Sequence, residues 1–366
     1  MANYKKITHH QVMEEGYYMK QKQTEHQKEL QHIIDQEVLL SGFSGTVLVT
    51  QHDQTLAAAA CGQANVAEEQ INQLNTRFGI ASGSKLFTAV AICQLAEQGK
   101  LSFDGKVLEV LHERKFPLFS PEITVHQLLT HSSGIPDYFD EEVMDDFAAL
   151  WEDIPMYTLR RPGDFLPLFA SLPMKFTPGD RFHYNNAGYI MLGLIVEAVS
   201  GMNFMDYVEQ HIFRPCGMKA SGYFALDALP ANTALGYIDS ETGENISNIY
   251  SIPVVGGGDG GAFVTAADMQ KLWTCLLGHK LLQPETTALL LTPHIHEDED
   301  TYYGYGVWIT IRNGGVLKYH LMGSDPGVSF RSAVYPASGV TFTALCNRSR
   351  GAYRMMQVAE KNLLLD

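Results

Sequence analysis

The chain has 366 residues, 45% of them hydrophobic and 18% charged, which excludes a disordered or fibrous protein and predicts either one large domain with a substantial insertion or two subdomains sharing a cleft. Its formal charge of −15 repels phosphate backbones and anionic membrane surfaces, and no stripe of Lys and Arg offsets it, so neither nucleic acid nor membrane is an expected partner. Cys61, Cys93, Cys216, Cys275 and Cys346 are odd in number, scattered and without Cys-x-x-Cys spacing, a pattern that predicts buried free thiols rather than a zinc or redox centre.

Residues 1–24 form an N-terminal extension of unassigned order. The first 37 residues carry charged and amide side chains throughout and no apolar core of the kind a signal peptide needs, so a cytoplasmic location is expected. Leu30, Ile33, Ile34 and Val38 at helical spacing predict an amphipathic helix over 25–39. Residues 45–50 and 55–60 flank the polar turn His52-Asp53-Gln54 and predict a β-hairpin. From about residue 86 to 290 the pattern is helical, with Pro and Gly punctuation at Pro136, Pro162-Gly163, Pro178-Gly179 and Pro215. Its longest apolar stretch, Ile190 to Val199, is broken by Gly193 and Glu197 and is too short to span a bilayer. His294 to Asp300 holds metal-capable side chains, but an acidic run after a Pro reads as a solvated loop, and no metal or other cofactor is expected. Strands are predicted at 306–311, 328–335 and 340–345, and a closing helix at 355–365. The fold class is therefore α+β: segments 25–85 and 291–366 build a sheet subdomain, 86–290 a mainly helical one, and the active site falls in the cleft between them.

Ser82-Gly83-Ser84-Lys85 opens a helical run, and residues three apart on a helix share a face, so Ser82 and Lys85 should touch. A serine in a first helical turn also sits among unpaired N–H groups that can stabilise an oxyanion. Taken alone, these four residues read better as a helix cap with a solvated lysine. The preference reverses because this Ser-x-x-Lys coexists with Tyr184-Asn185-Asn186, a Tyr-x-Asn on a loop from which a phenol can project into a cleft.

With these two motifs on the page, the sequence resembles the serine β-lactamase and penicillin-binding-protein-like superfamily, in the branch of class C β-lactamases, DD-peptidases and esterases. The resemblance runs from about Phe43 to the C-terminus. It is carried further by Ile123 to Ile135, by Gly256 to Phe263 followed by Thr265-Ala266-Ala267-Asp268, and by Tyr303-Gly304-Tyr305-Gly306. It implies a β-lactamase/transpeptidase-like fold with an antiparallel sheet flanked by terminal helices. It also implies Ser82 as nucleophile, Lys85 and Tyr184 sharing the base work, and Asn186 beside Lys85, orienting the ammonium and binding a substrate carbonyl. A phenol accepts the serine proton at neutral pH only if a neighbouring cation lowers its pKa, and Lys85 is the expected cation. His131-Ser132-Ser133 is read as a structural turn and the glycine run as close backbone packing, since the Gly-Lys-Ser/Thr of a phosphate loop is missing.

The third motif departs from the family pattern. Aligned through Pro326-Gly327, Gly323 takes the motif glycine, Ser324 N–H becomes the second oxyanion donor, and Leu321 stands where class C enzymes carry lysine. His320 is displaced by one residue and reaches the cleft only through a bulge; otherwise it is an ordinary strand histidine. Loss of that lysine removes a partner for the carboxylate of β-lactams and peptide C-termini. The expected function is a serine hydrolase acting through an acyl-enzyme on a small ester, amide or peptide substrate. A β-lactamase or D-amino-acid/DD-peptidase, and a catalytically silent binding or regulatory homologue, are the alternatives. Tyr138, Phe139, Phe147, Trp151, Tyr157 and Phe165 either roof an apolar pocket or fill the core.

Overall fold

The computed structural model describes residues 9–363, apart from 53, 145–146 and 240–242. The predicted turn residue Asp53, the first eight residues of the extension and the end of the predicted closing helix lie outside the described residues.

Eight strands form one antiparallel sheet: β1 (Gly45–Gln51), β2 (Gln54–Cys61), β3 (Ile295–Asp298), β4 (Thr301–Tyr303), β5 (Trp308–Arg312), β6 (Gly315–Asp325), β7 (Val328–Tyr335) and β8 (Val340–Cys346). Their spatial order is β2-β1-β8-β7-β6-β5-β4-β3. The N-terminal hairpin thus docks beside the chain's last strand, β8, through the seven-residue register that sets Gly45 opposite Cys346 and Gln51 opposite Val340. The acidic run expected as a solvated loop instead makes most of the β3–β4 edge hairpin. Its charges suit an edge, where they discourage pairing with another chain.

The sheet is covered on both faces, so its central strands read as nearly continuous apolar runs. On one face Val47, Val49, Phe342 and Ala344 pack with Leu30 and Ile34 of α1 (His9–Ser41) and with Met355, Met356 and Ala359 of the closing helix α6 (Ala352–Asn362). On the other face Leu345, Phe330 and Leu321 join the main core. That core contains α2 (Lys85–Glu97), the short α3 (Val125–Leu129), α4 (Asn186–Ser200) and α5 (Ala266–Leu277). The Trp273 indole on α5 donates to Ser332 Oγ in β7 at 2.9 Å, stitching helix to sheet.

Two boundaries differ from the sequence expectation. The first helix begins at His9 rather than 25. The closing helix begins at Ala352, three residues early, because Gly351 turns the chain at φ 131° and frees Ala352 to enter the core. Ile190–Val196, the apolar stretch, is the buried centre of α4, and among the described residues no single helix is long and apolar enough to cross a membrane. Residues 130–185, expected within a helical region, hold only short 3₁₀ turns among their described part.

Strand β6 positions the site. It pairs with β7 from Tyr319 to Asp325 but with β5 only from Gly315 to His320, so Leu321–Asp325 present a free edge to the cleft. Gly323 lets that edge approach the serine turn, since a Cβ there would stand 2.0 Å from the Ile80 carbonyl oxygen. Gly323→Ala is expected to lower stability by about 1–3 kcal/mol through backbone displacement. A reduced thermal midpoint together with slower labelling of Ser82 by a serine-directed fluorophosphonate is the checking measurement.

Candidate active site

Ser82 lies in the 3₁₀ turn Ala81–Ser84, one step before α2 rather than inside its first turn. Ala81 holds φ 46°, a left-handed conformation that a residue with a Cβ adopts at a cost of roughly 1–3 kcal/mol. Neighbours fix the turn: Ile80 N–H donates to Ala262 C=O at 3.0 Å, Ser84 Oγ donates to Ala81 C=O at 2.8 Å and accepts from Ala262 N–H at 3.0 Å. The glycine run of residues 256–261 therefore does pack backbone against backbone. At Gly258 a Cβ would meet the Tyr189 carbonyl oxygen at 2.2 Å.

Lys85 is 1% exposed. Its Nζ donates to Ser82 Oγ at 3.0 Å, to Asn186 Oδ1 at 2.8 Å and to the Asp259 carbonyl oxygen at 2.9 Å, which uses all three N–H positions of an ammonium. The Tyr184 hydroxyl is hydrogen-bonded to Ser82, while Lys85 Nζ sits over the phenol ring, 4.8 Å from its centroid. Serine, lysine, tyrosine and Asn186 are thus brought together from two chain segments, and the Asp259 carbonyl joins them from a third.

The phenol corrects one expectation. Burial, and then the nearby carboxylates of Glu141, Asp259 and Asp137, push the Tyr184 hydroxyl well above its ordinary range, against the opposing hydrogen bond from Ser82. The Lys85 charge over the ring does not overcome these effects. Tyr184 keeps its proton at rest.

Sequence reading missed the carboxylates that build this setting. Asp137 is buried and accepts from Asn186 N–H (2.7 Å), Ala187 N–H (2.9 Å) and Tyr138 N–H (2.8 Å). It therefore caps the start of α4 from outside the helix and holds Asn186 against Lys85. Burial raises its carboxyl to about 7, opposed by these hydrogen bonds and by Lys85. Asp259 is buried and its carboxyl accepts the Tyr138 hydroxyl; burial raises it too, opposed chiefly by Lys85. An aspartate after Ile135-Pro136, and the lone acid in a glycine run, were the available signals. Asp137→Asn keeps the shape but replaces one carboxylate oxygen with an NH₂ facing N–H donors. A loss of about 1–3 kcal/mol in unfolding free energy is expected, with a matching fall in acylation rate, measured by denaturant melts and by fluorophosphonate labelling.

His131 has a structural role. It holds φ 55°, its Nδ1 accepts from Asn185 N–H at 3.1 Å, its carbonyl accepts from His183 N–H at 2.8 Å, and its ring lies 4.4 Å from that of Tyr184. Burial, and secondarily Lys85, hold its imidazole well below the ordinary value of 6.5. The folded state therefore excludes a proton that the unfolded chain binds, and this contribution to stability is lost as pH falls through about 6.5. Thermal melts between pH 7.5 and 5 should show an acid-side loss that is smaller in His131→Asn.

The cleft itself has a volume of about 680 Å³. Ser82, Tyr184, Asn186, Gly323 and Ser324 line it, as do Tyr138, Phe139, Phe147 and Phe165. Trp151 is buried beside Phe147, and Tyr157 is exposed. His320 is not brought to the cleft. It is buried, its Nε2 lies 3.3 Å from Thr310 Oγ1, and burial depresses its imidazole to about 3. The β5–β6 register shift falls at Thr310/Ile311, so no bulge at His320 itself redirects its side chain. Leu321 does stand in the lysine's place on β6, and Arg331 and Arg350 also line the cleft. Among the described residues Asp140, Glu142 and His183 have metal-capable spacing. Lys175, paired with Asp140 and 2.7 Å from His183 Nε2, already supplies a cation there.

The Beta-lactamase family model matches residues 32–364. The chain is 28% identical over 322 residues to penicillin-binding protein 4* of Bacillus subtilis, covering 84% of this chain and 68% of that protein. It is 29% identical over 204 residues to a D-aminopeptidase of Cereibacter sphaeroides, covering 56% of this chain and 37% of the relative. The crystal structure of a penicillin binding protein from Bacillus halodurans superposes with a TM-score of 0.87 at 55% identity, over 90% of this chain and all (100%) of the other. With its cleft carrying the constellation of a serine hydrolase, the chain belongs to the Beta-lactamase family.

Proposed function

We propose that the protein hydrolyses small ester or amide substrates through an acyl-enzyme on Ser82. The observation that carries this reading is the Lys85 ammonium, which holds Ser82 Oγ at 3.0 Å and Asn186 Oδ1 at 2.8 Å in one buried hydrogen-bond set. In the reactive state Lys85 is the neutral amine, its third proton released to solvent; Ser82 Oγ attacks the carbonyl carbon as its proton moves to Lys85 Nζ, which later replaces the proton that Tyr184 gives to the leaving group. The oxyanion is met by the N–H groups of Ser82 and of Ser324 on the free edge of β6. Tyr184, protonated at rest, returns a proton to the departing alcohol or amine as the carbonyl–leaving-group bond breaks. Water then repeats the sequence on the acyl-enzyme, restoring the Ser82 hydroxyl.

A penicillin-recognising activity is the second reading. It is favoured by the 55% identity to a penicillin binding protein and by Arg331 and Arg350 in the cleft, which offer a ligand carboxylate two guanidinium partners.

The test combines a fluorophosphonate probe, p-nitrophenyl butyrate and a chromogenic penicillin. Labelling at Ser82 is expected, together with butyrate turnover that falls on the order of a thousandfold in Ser82→Ala and in Lys85→Ala. Absence of both adduct and turnover, or turnover that survives Ser82→Ala, contradicts the mechanism. A stable penicillin adduct on Ser82 by intact mass supports the second reading.

A further inference from the structure

Three aspartates surround Lys85, and two of them are satisfied by the protein. Asp137 takes backbone N–H groups at the start of α4, and Asp259 takes the Tyr138 hydroxyl. The third, Asp325, is half-buried and lines the cleft, yet its carboxylate has no hydrogen-bond or ion-pair partner among the described residues. Even partial burial of a carboxylate without a partner disfavours its charged form. Its place on β6 makes its direction plain. It stands two residues beyond Gly323, on the same face of the strand, and so leaves the backbone towards the serine turn that Gly323 touches. It also directly follows Ser324, which lines the cleft together with Ser82.

The rest of the wall points to the same ligand. Glu141 lines the cleft as well and, with Asp259, adds to the negative field at Asp325. The arginines of the cleft, Arg331 and Arg350, do not pair with Asp325. Between these charges stand aromatic faces, among them Phe139, Phe147 and Phe182. A carboxylate without a partner, a second carboxylate in the same cleft and aromatic walls together suit a primary ammonium borne on an apolar body.

We propose that Asp325 is a specificity-determining residue that receives the free amino group of the substrate, making amino-acid amides, amino-acid esters or unblocked peptide N-termini the favoured acyl donors. This rests on the acyl-enzyme reading above. An oxyanion held at Ser324 N–H sets the scissile carbonyl beside Asp325, so an ammonium on the adjacent α-carbon lies nearest its carboxylate. Burial, reinforced by Asp259, holds the unliganded Asp325 carboxyl at about 7, and an arriving ammonium favours its ionised form.

The experiment uses the full chain with D- and L-phenylalanine p-nitroanilide, their N-acetyl counterparts and p-nitrophenyl butyrate. For at least one enantiomer, kcat/KM for the free amine should exceed that for the acetylated form by about tenfold or more, and Asp325→Asn should reduce that ratio by about tenfold. A ratio near one in the unmodified protein, or a ratio that survives Asp325→Asn, overturns the proposal while butyrate turnover leaves the hydrolase reading standing. Absence of butyrate turnover and of a Ser82 adduct overturns both. Should Asp325→Asn fail to fold, inhibition of butyrate hydrolysis in the unmodified protein decides: benzylamine must inhibit about tenfold more strongly than benzyl alcohol, and equal inhibition overturns the proposal.

Discussion

The structure turns on one buried ammonium. Lys85 has no access to water to speak of, so its three N–H groups must find oxygen inside the protein or the charge is untenable. They find Ser82, Asn186 and the carbonyl of Asp259, which come from three separate stretches of chain. Satisfying that cation is therefore the same event as assembling the cleft. The serine turn, the head of α4 and the glycine run cannot drift apart without leaving a charge unpaired.

The carboxylates around Lys85 follow from it. Asp137 and Asp259 are tolerated in the interior because the ammonium offsets part of their burial and the remaining lone pairs have donors. Burial above all, then the fields of Glu141, Asp259 and Asp137, keep Tyr184 a phenol at rest. The site holds a protonated phenol beside a serine whose hydroxyl oxygen is already bonded to lysine, which supports the proposal that Tyr184 serves the leaving group.

The other determinant is the incomplete pairing of β6. A strand paired along only half of one side offers backbone N–H and C=O groups to whatever enters the cleft, and here that edge ends in Ser324 and Asp325. The close approach permitted by Gly323 brings this edge against the Ala81–Ser84 turn. The proposed nucleophile and the proposed specificity residue thus sit on two elements in direct contact.

Much of this was legible in the sequence, and for identifiable reasons. Alternating and continuous apolar runs gave the hairpin and the late strands, because side-chain periodicity is a local property. Ser82, Lys85, Tyr184 and Asn186 could be picked out because two short motifs, each weak alone, coincide. The acidic run 294–300 was read as a loop because an exposed edge strand has no buried face to impose a pattern. The facing of His320 is not legible in the sequence because it depends on register and bulges, which a partner strand fixes. Sequence alone determined which groups could do chemistry. Tertiary structure decided their protonation and their company: Asp137, Asp259 and Asp325 lie far from Lys85 along the chain, and only packing brought three carboxylates and a phenol within the reach of one buried charge.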